Sequence, residues 1–163
     1  MEQDLKSNDW RRHAAIAVVA VFGPSFIASK VTIANIPSWY VDLQKPWFTP
    51  PNWVFGPVWT LLYAGLAFAL YRILRMEAQT PGRRRALIIF AIQMALNTSW
   101  SLAFFGLHSP ALGLIVIVLL WLAIVVNMIA FRRLDAPAAW PFAPYLAWVS
   151  FAAALNFAIF ALN

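Results

Sequence analysis

The fold this sequence predicts is an all-α integral membrane protein, a bundle of five transmembrane helices, and three observations predict it. Of 163 residues, 63% are hydrophobic and 11% charged, with a mean hydropathy of +0.71. One soluble domain of that size cannot bury so much apolar surface, so the remainder must face lipid. Tracts of about 20 residues with almost no charge recur, and at about 1.5 Å per residue each can cross a hydrocarbon core of roughly 30 Å. The basic residues sit at tract ends rather than on one soluble face. That placement argues against nucleic acid as a partner despite a net charge of +6.

The apolar tracts run over residues 14–34, 54–74, 86–107, 111–131 and 137–162, making one domain of residues 1–163. The first is the least regular: Gly23-Pro24-Ser25 interrupts it, which predicts a kink near Pro24, and Lys30 lies near its end. Arg11-Arg12 ahead of an apolar run also fits the start of a signal peptide. Against that stand the length of the tract, the want of a small-residue cleavage site and the four spans that follow. If the helices alternate, Lys6, Arg11, Arg12, Arg72, Arg75, Arg83, Arg84, Arg85, Arg132 and Arg133 share one side, with Lys30 and Lys45 opposite. This asymmetry supports the helix count and puts the N-terminus on the positive side. The expected location is a bacterial cell membrane, with an outer membrane left open. No tandem repeat emerges, and an odd number of spans argues against the duplicated halves of many secondary transporters.

The connection over residues 35–52 carries Pro37, Trp39, Tyr40, Pro46, Trp47, Phe48, Pro50 and Pro51, with Trp53 just beyond. Prolines restrict the chain, and Trp and Tyr favour the interface, so an ordered, ligand-capping loop is expected. An aromatic belt explains part of this composition. It does not explain Trp59 and Tyr63, which follow at i, i+4 on one face of the next helix. On the third helix Gln93, Asn97, Trp100 and Phe104 share a face expected to look inward. Ala91, Ala95, Ser99 and Ala103 form a second, small-residue face suited to close packing within the bundle or a dimer. Gln93 and Asn97 need partners in hydrocarbon: other helices, which is the commoner role, a ligand or the loop. On the last span, Trp148, Ala152 and Asn156 recur every four residues. Trp148 beside a small Ala152 suggests a slot for a planar ring, which Trp121 could join, although helix or lipid packing is the plainer role for Trp121.

Every carboxylate (Glu2, Asp4, Asp9, Asp42, Glu77, Asp135) lies outside the tracts, which removes support for ion-coupled transport. His13 and His108 flank spans without metal-ligand spacing. Ser25, Ser99, Ser101 and Ser150 lack a histidine base at motif spacing, no glycine-rich phosphate cradle occurs, and cysteine is absent. The reading is a pocket for a flat apolar ligand, with no catalytic residue, no metal and no obligatory cofactor.

WYVDLQKPWFTPPNWVFGPVWTLLY (residues 39–63) strongly resembles the signature of the translocator protein/tryptophan-rich sensory protein (TspO/MBR) family, also called peripheral-type benzodiazepine receptors. QMALNTSWSLAFFG (residues 93–106) and PYLAWVSFAAALNFAIFALN (residues 144–163) are similar to the family's third and fifth helices, so the likeness runs through nearly all of the chain. The resemblance implies a five-helix fold, usually a homodimer, binding porphyrin or haem-type tetrapyrroles and, in animal relatives, cholesterol and synthetic drug ligands. By motif position it implies a ligand site of Tyr40, Pro50, Trp59, Tyr63, Asn97, Trp100, Trp148 and Ala152, with Trp47 and Trp53 in the same loop. The animal cholesterol motif is broken here: Phe157 follows Leu155-Asn156 and no Lys or Arg comes after. The expected function is a membrane receptor or sensor of tetrapyrroles and related lipophilic molecules, with their transport as a further expectation. The alternatives are a porphyrin-degrading enzyme driven by light and oxygen, with a pocket tryptophan as redox partner, and a structural or partner-binding membrane protein.

Overall fold

The computed structural model describes the backbone of residues 2–163 and the side chains of residues 9–163. The side chains of Glu2, Asp4 and Lys6 therefore lie outside the described residues. Helix α1 (Glu2–Asn35) runs on into a π-helical turn (Ile36–Tyr40). Helix α2 spans Asn52–Leu74, α3 spans Arg83–Ser101 and ends in a second π-helical turn (Leu102–Gly106), and α4 spans Pro110–Leu134. A single turn, α5 (Ala136–Ala139), precedes α6 (Phe142–Leu162). The five spans are Asp9–Tyr40, Asn52–Leu74, Arg83–Gly106, Pro110–Leu134 and Ala136–Leu162. The protein is a multi-pass membrane protein, a five-helix transmembrane bundle.

The first span reaches six residues beyond the expected end at residue 34, and the lid is correspondingly shorter. Pro37 would ordinarily stop a helix, since it cannot donate to the carbonyl one turn back. Here the longer-period turn takes up the proline, while Asn35 Nδ2 donates to the Val31 carbonyl (2.8 Å) and Ser38 Oγ to the Ala34 carbonyl (3.3 Å). Pro24 likewise sits inside α1 without ending it, and Ser25 Oγ donates to the Val21 carbonyl at 2.6 Å. Ser109 caps α4, its Oγ accepting from the Leu112 amide (3.3 Å), and Pro110 fills the first helical position.

Charged groups tie the basic end together. Arg72 clamps Asp135 through Nε and Nη2 of one guanidinium edge, Nη2 to Oδ1 being 3.0 Å, which joins the end of α2 to the α4–α5 junction. Arg83 donates from Nε and Nη2 to the carbonyls of Ile73 and Leu74 (both 3.0 Å), so the first residue of α3 satisfies the last turn of α2.

Within the bundle, side-chain amides link one helix to another. Asn97 of α3 accepts from the Tyr63 hydroxyl of α2 and donates to the Tyr145 oxygen of α6, each at 2.9 Å. Deeper toward the basic end, Asn127 of α4 donates to Gln93 of α3 at 3.0 Å. Both amides therefore have helix partners, the structural role that hydrocarbon demands of them. On the opposite face of α3, Ala91, Ala95 and Ser99 are exposed on the outside of the bundle, whereas Ala103 is buried.

Candidate functional site

A cavity of about 520 Å³ is bounded by α1 and its π-turn, α2, α3 and its π-turn, and α6; no residue of the 41–51 connection, expected to cap the ligand, is among its lining residues. One wall is built of aromatic side chains. Trp59 stacks on Tyr63 (centroids 5.3 Å apart, planes 27° apart), approaches Trp100 at 6.4 Å and 33°, and Trp100 stacks on Phe104 at 5.8 Å and 25°. The i, i+4 spacings on α2 and α3 put these rings on facing stripes. Trp100 is held in place by its indole Nε1, which donates to Asn156 Oδ1 (3.1 Å), while Asn156 Nδ2 donates to the Pro110 carbonyl (2.8 Å). Gly113 makes room for that amide: a Cβ there would stand 2.8 Å from Asn156 Oδ1 and 2.9 Å from a Phe104 ring carbon.

The opposite wall comes from α1. Phe22, Ser25, Ser29 and Thr32 face the cavity at roughly helical intervals, and Phe26 and Ile33 line it while also lying exposed on the bundle surface. Trp53 and Thr60 of α2 are lining and exposed in the same way, so the cavity opens sideways between α1 and α2, toward lipid.

The lid is pinned at several points. Gln44 and Asn163 exchange two hydrogen bonds (2.9 and 3.0 Å), tying the loop to the end of α6. Thr49 turns back on the Pro46 carbonyl through both its amide (3.1 Å) and its hydroxyl (2.8 Å). Lys45 Nζ lies 4.8 Å above the Tyr40 ring and donates to the carbonyls of Val41 and Leu43. Phe48 meets Phe151 edge-on at 6.3 Å. Beside the lid, Trp39 stacks on His108 (4.8 Å, 15°), whose Nε2 is 2.7 Å from Asn35 Oδ1.

Of the eight residues expected at a ligand site, Tyr40, Trp59, Tyr63, Trp100 and Ala152 line the cavity. Asn97 stands one layer behind, holding Tyr63 and Tyr145. Trp148 also stands behind the lining, edge-on to Phe55 (5.8 Å) and tilted against Phe151 (5.5 Å), its buried indole N–H unpartnered. Pro50 stays in the lid, half-buried and outside the lining. Trp47 points away almost fully exposed, and Trp121 donates to Ser150 Oγ (2.8 Å) on the outer side of α4 and α6. The sequence reading missed the whole α1 wall, together with Phe105, Leu155 and Ile159. A signal for the α1 wall was present in the Ser25, Ser29, Thr32 spacing.

No Asp, Glu, His, Lys or Arg is among the residues lining the cavity. Such a site offers stacking, shape and a few hydroxyl and amide groups to a guest. Two cations lie against lining residues from outside: Lys30 Nζ is 5.1 Å from the ring of Phe26, which is exposed at the side opening, and Lys45 Nζ is 4.8 Å from the ring of Tyr40.

Fold and site together define a class: an α-helical membrane protein with an aromatic, laterally open cavity. The family model for TspO/MBR matches residues 14–162, and the chain belongs to that family of membrane sensor and translocator proteins. It is similar to the tryptophan-rich protein TspO of Chlorobaculum tepidum, 42% identical over 149 residues that cover 91% of this chain and 94% of the relative. It is also similar to the tryptophan-rich sensory protein of Cereibacter sphaeroides, 42% identical over 125 residues covering 77% of each. The translocator protein of Sus scrofa is 31% identical over 160 residues, 94% of this chain and 91% of the relative.

Proposed function

We propose that this protein is a membrane receptor or sensor for porphyrin or haem-type tetrapyrroles and related lipophilic molecules. The observation that carries the reading is the near-parallel run of Tyr63, Trp59, Trp100 and Phe104 along one wall of a 520 Å³ cavity. A flat conjugated ring is the guest such faces suit, since offset stacking gives affinity without charge. A macrocycle lying on these rings would direct any acidic side groups to the α1–α2 opening, where Lys30 stands. The side opening also supports exchange of the guest with the bilayer, which is the step a carrier requires.

The test is a titration of the protein in lipid nanodiscs with protoporphyrin IX, following tryptophan quenching. Saturable quenching is expected. Each of Trp59→Leu and Trp100→Leu should weaken it by about 2- to 12-fold, the range of a stacked aromatic pair worth about 0.5–1.5 kcal/mol. Quenching that stays linear in porphyrin, or is the same in both variants, overturns the receptor reading. Illuminating the loaded protein in oxygen tests the enzymatic alternative, which requires a new bilin-like absorbance that grows with exposure.

A further inference from the structure

A second hollow lies along the same α1–α2 seam, at the basic end. It is a groove of about 450 Å³ whose floor is set by the small residues Ala14, Ala17, Ala64 and Ala67, with the rings of Trp10, Phe68 and Tyr71 at its sides. On α1 it runs from Trp10 to Phe22, about 18 Å at the helical rise. That is close to the roughly 15 Å depth of one leaflet's hydrocarbon.

Two cations stand at its outer end. Arg11 lies three residues before Ala14 and seven before Val18, so it prolongs the α1 wall by a turn, and its guanidinium sits 5.6 Å from the Trp10 ring. Arg75 lies four residues after Tyr71 and seven after Phe68, prolonging the α2 wall. Its guanidinium is 5.6 Å from the Tyr71 ring, with Nη1 3.3 Å from the hydroxyl. Both are exposed, and neither meets a carboxylate among the described residues. Arg72 and Arg83, by contrast, are engaged with Asp135 and with the α2 carbonyls.

We infer that this groove binds an anionic phospholipid, one acyl chain lying between α1 and α2 and the phosphate held by Arg11 and Arg75. The chemistry matches at both ends. An apolar channel one leaflet deep suits an acyl chain and offers nothing to a polar peptide. Two guanidinium groups that meet no carboxylate among the described residues stand at its mouth and suit a phosphate that brings no cation of its own. Anionic lipid is also what a basic membrane face attracts.

The test uses the full-length protein in nanodiscs of equal phosphatidylcholine and phosphatidylglycerol, released into the gas phase to weigh the lipid each copy retains. The expected result is preferential retention of phosphatidylglycerol. Arg11→Gln/Arg75→Gln should lower the glycerol-to-choline ratio about fivefold per arginine, the equivalent of about 1 kcal/mol each. Arg84→Gln/Arg85→Gln removes the same charge on exposed α3 positions away from the groove and should leave the ratio unchanged. Ala64→Leu, which fills the floor and keeps both arginines, should lower total retention. Equal retention of the two lipids by the parent protein overturns the proposal, as does an equal fall in the Arg84/Arg85 variant. Displacement by soluble glycerol 3-phosphate would also overturn it, because it would mark a phosphate site that needs no chain. Unchanged melting temperatures in all variants check that each one folds.

Discussion

Replacing Asn97 with alanine should destabilise the bundle far more than an average substitution. Asn97 is the middle of a three-helix relay: its Oδ1 accepts from Tyr63, its Nδ2 donates to Tyr145, and all three side chains are buried, Tyr145 completely. Alanine removes the amide partner of both phenol groups, leaving the fully buried Tyr145 hydroxyl stranded and Tyr63 with only Ser25 beside it. A stranded buried hydroxyl costs about 1–3 kcal/mol, whereas interhelical hydrogen bonds in membranes average roughly 0.6 kcal/mol by double-mutant cycles. The two hydroxyls and the space vacated by the amide together give about 2–4 kcal/mol, or roughly a 30- to 1,000-fold change in the folding equilibrium. The measurement is equilibrium unfolding in mixed micelles, read by far-UV circular dichroism. The control removes the polar atoms together: Asn97→Leu with Tyr63→Phe and Tyr145→Phe should recover most of the loss, because replacing every partner by apolar groups is close to neutral. A single variant within 0.5 kcal/mol of the parent would refute the reasoning. So would a triple variant as unstable as the single, since the cost would then be packing rather than unmet hydrogen bonds.

Gly113→Ala should cost about 1–3 kcal/mol and red-shift the tryptophan emission, because the added methyl displaces Asn156 or Phe104 and frees Trp100; an unchanged melt and spectrum would show that α4 moves aside at little cost. Lys30→Gln should weaken protoporphyrin IX several-fold yet spare octaethylporphyrin, which lacks carboxylates; equal loss for both would remove Lys30 from recognition. Asp135→Asn should lower stability by about 1 kcal/mol, less in 1 M salt, where the screening length is roughly 3 Å; a salt-independent loss would point to lost packing instead.

The spans were legible because hydropathy and length answer to one physical fact, the thickness of the hydrocarbon. The four later spans fall within about three residues of their expected limits, and Arg72, Arg75 and Arg83 cluster at one end as the charge pattern implied. The end of the first span was not legible, because a proline followed by aromatics reads as loop, whereas here a π-helical turn over Ile36–Tyr40 carries the helix through Pro37. The cavity was legible where aromatic and amide residues share a stripe, as on α2 and α3. On α1 it went unread, because the Ser25, Ser29, Thr32 spacing is mixed with Phe22, Phe26, Ala28 and Ile33, residue types no different from their lipid-facing neighbours. Asn97 and Trp148 show a further limit: spacing fixes the face a residue occupies and not whether another ring lies in front of it.

Phe22 borders both hollows of the α1–α2 seam and meets Tyr63 edge-on at 6.2 Å, planes 71° apart. A single phenyl ring is therefore the partition between the aromatic chamber and a trough reaching the far leaflet. An occupant on either side would press on the same ring, and such linkage is reciprocal: the free energy by which a guest above favoured one below would equal that by which the lower favoured the upper. Membrane composition and pigment occupancy would then be variables of one equilibrium, and Phe22→Ala, by joining the two rooms, would uncouple them.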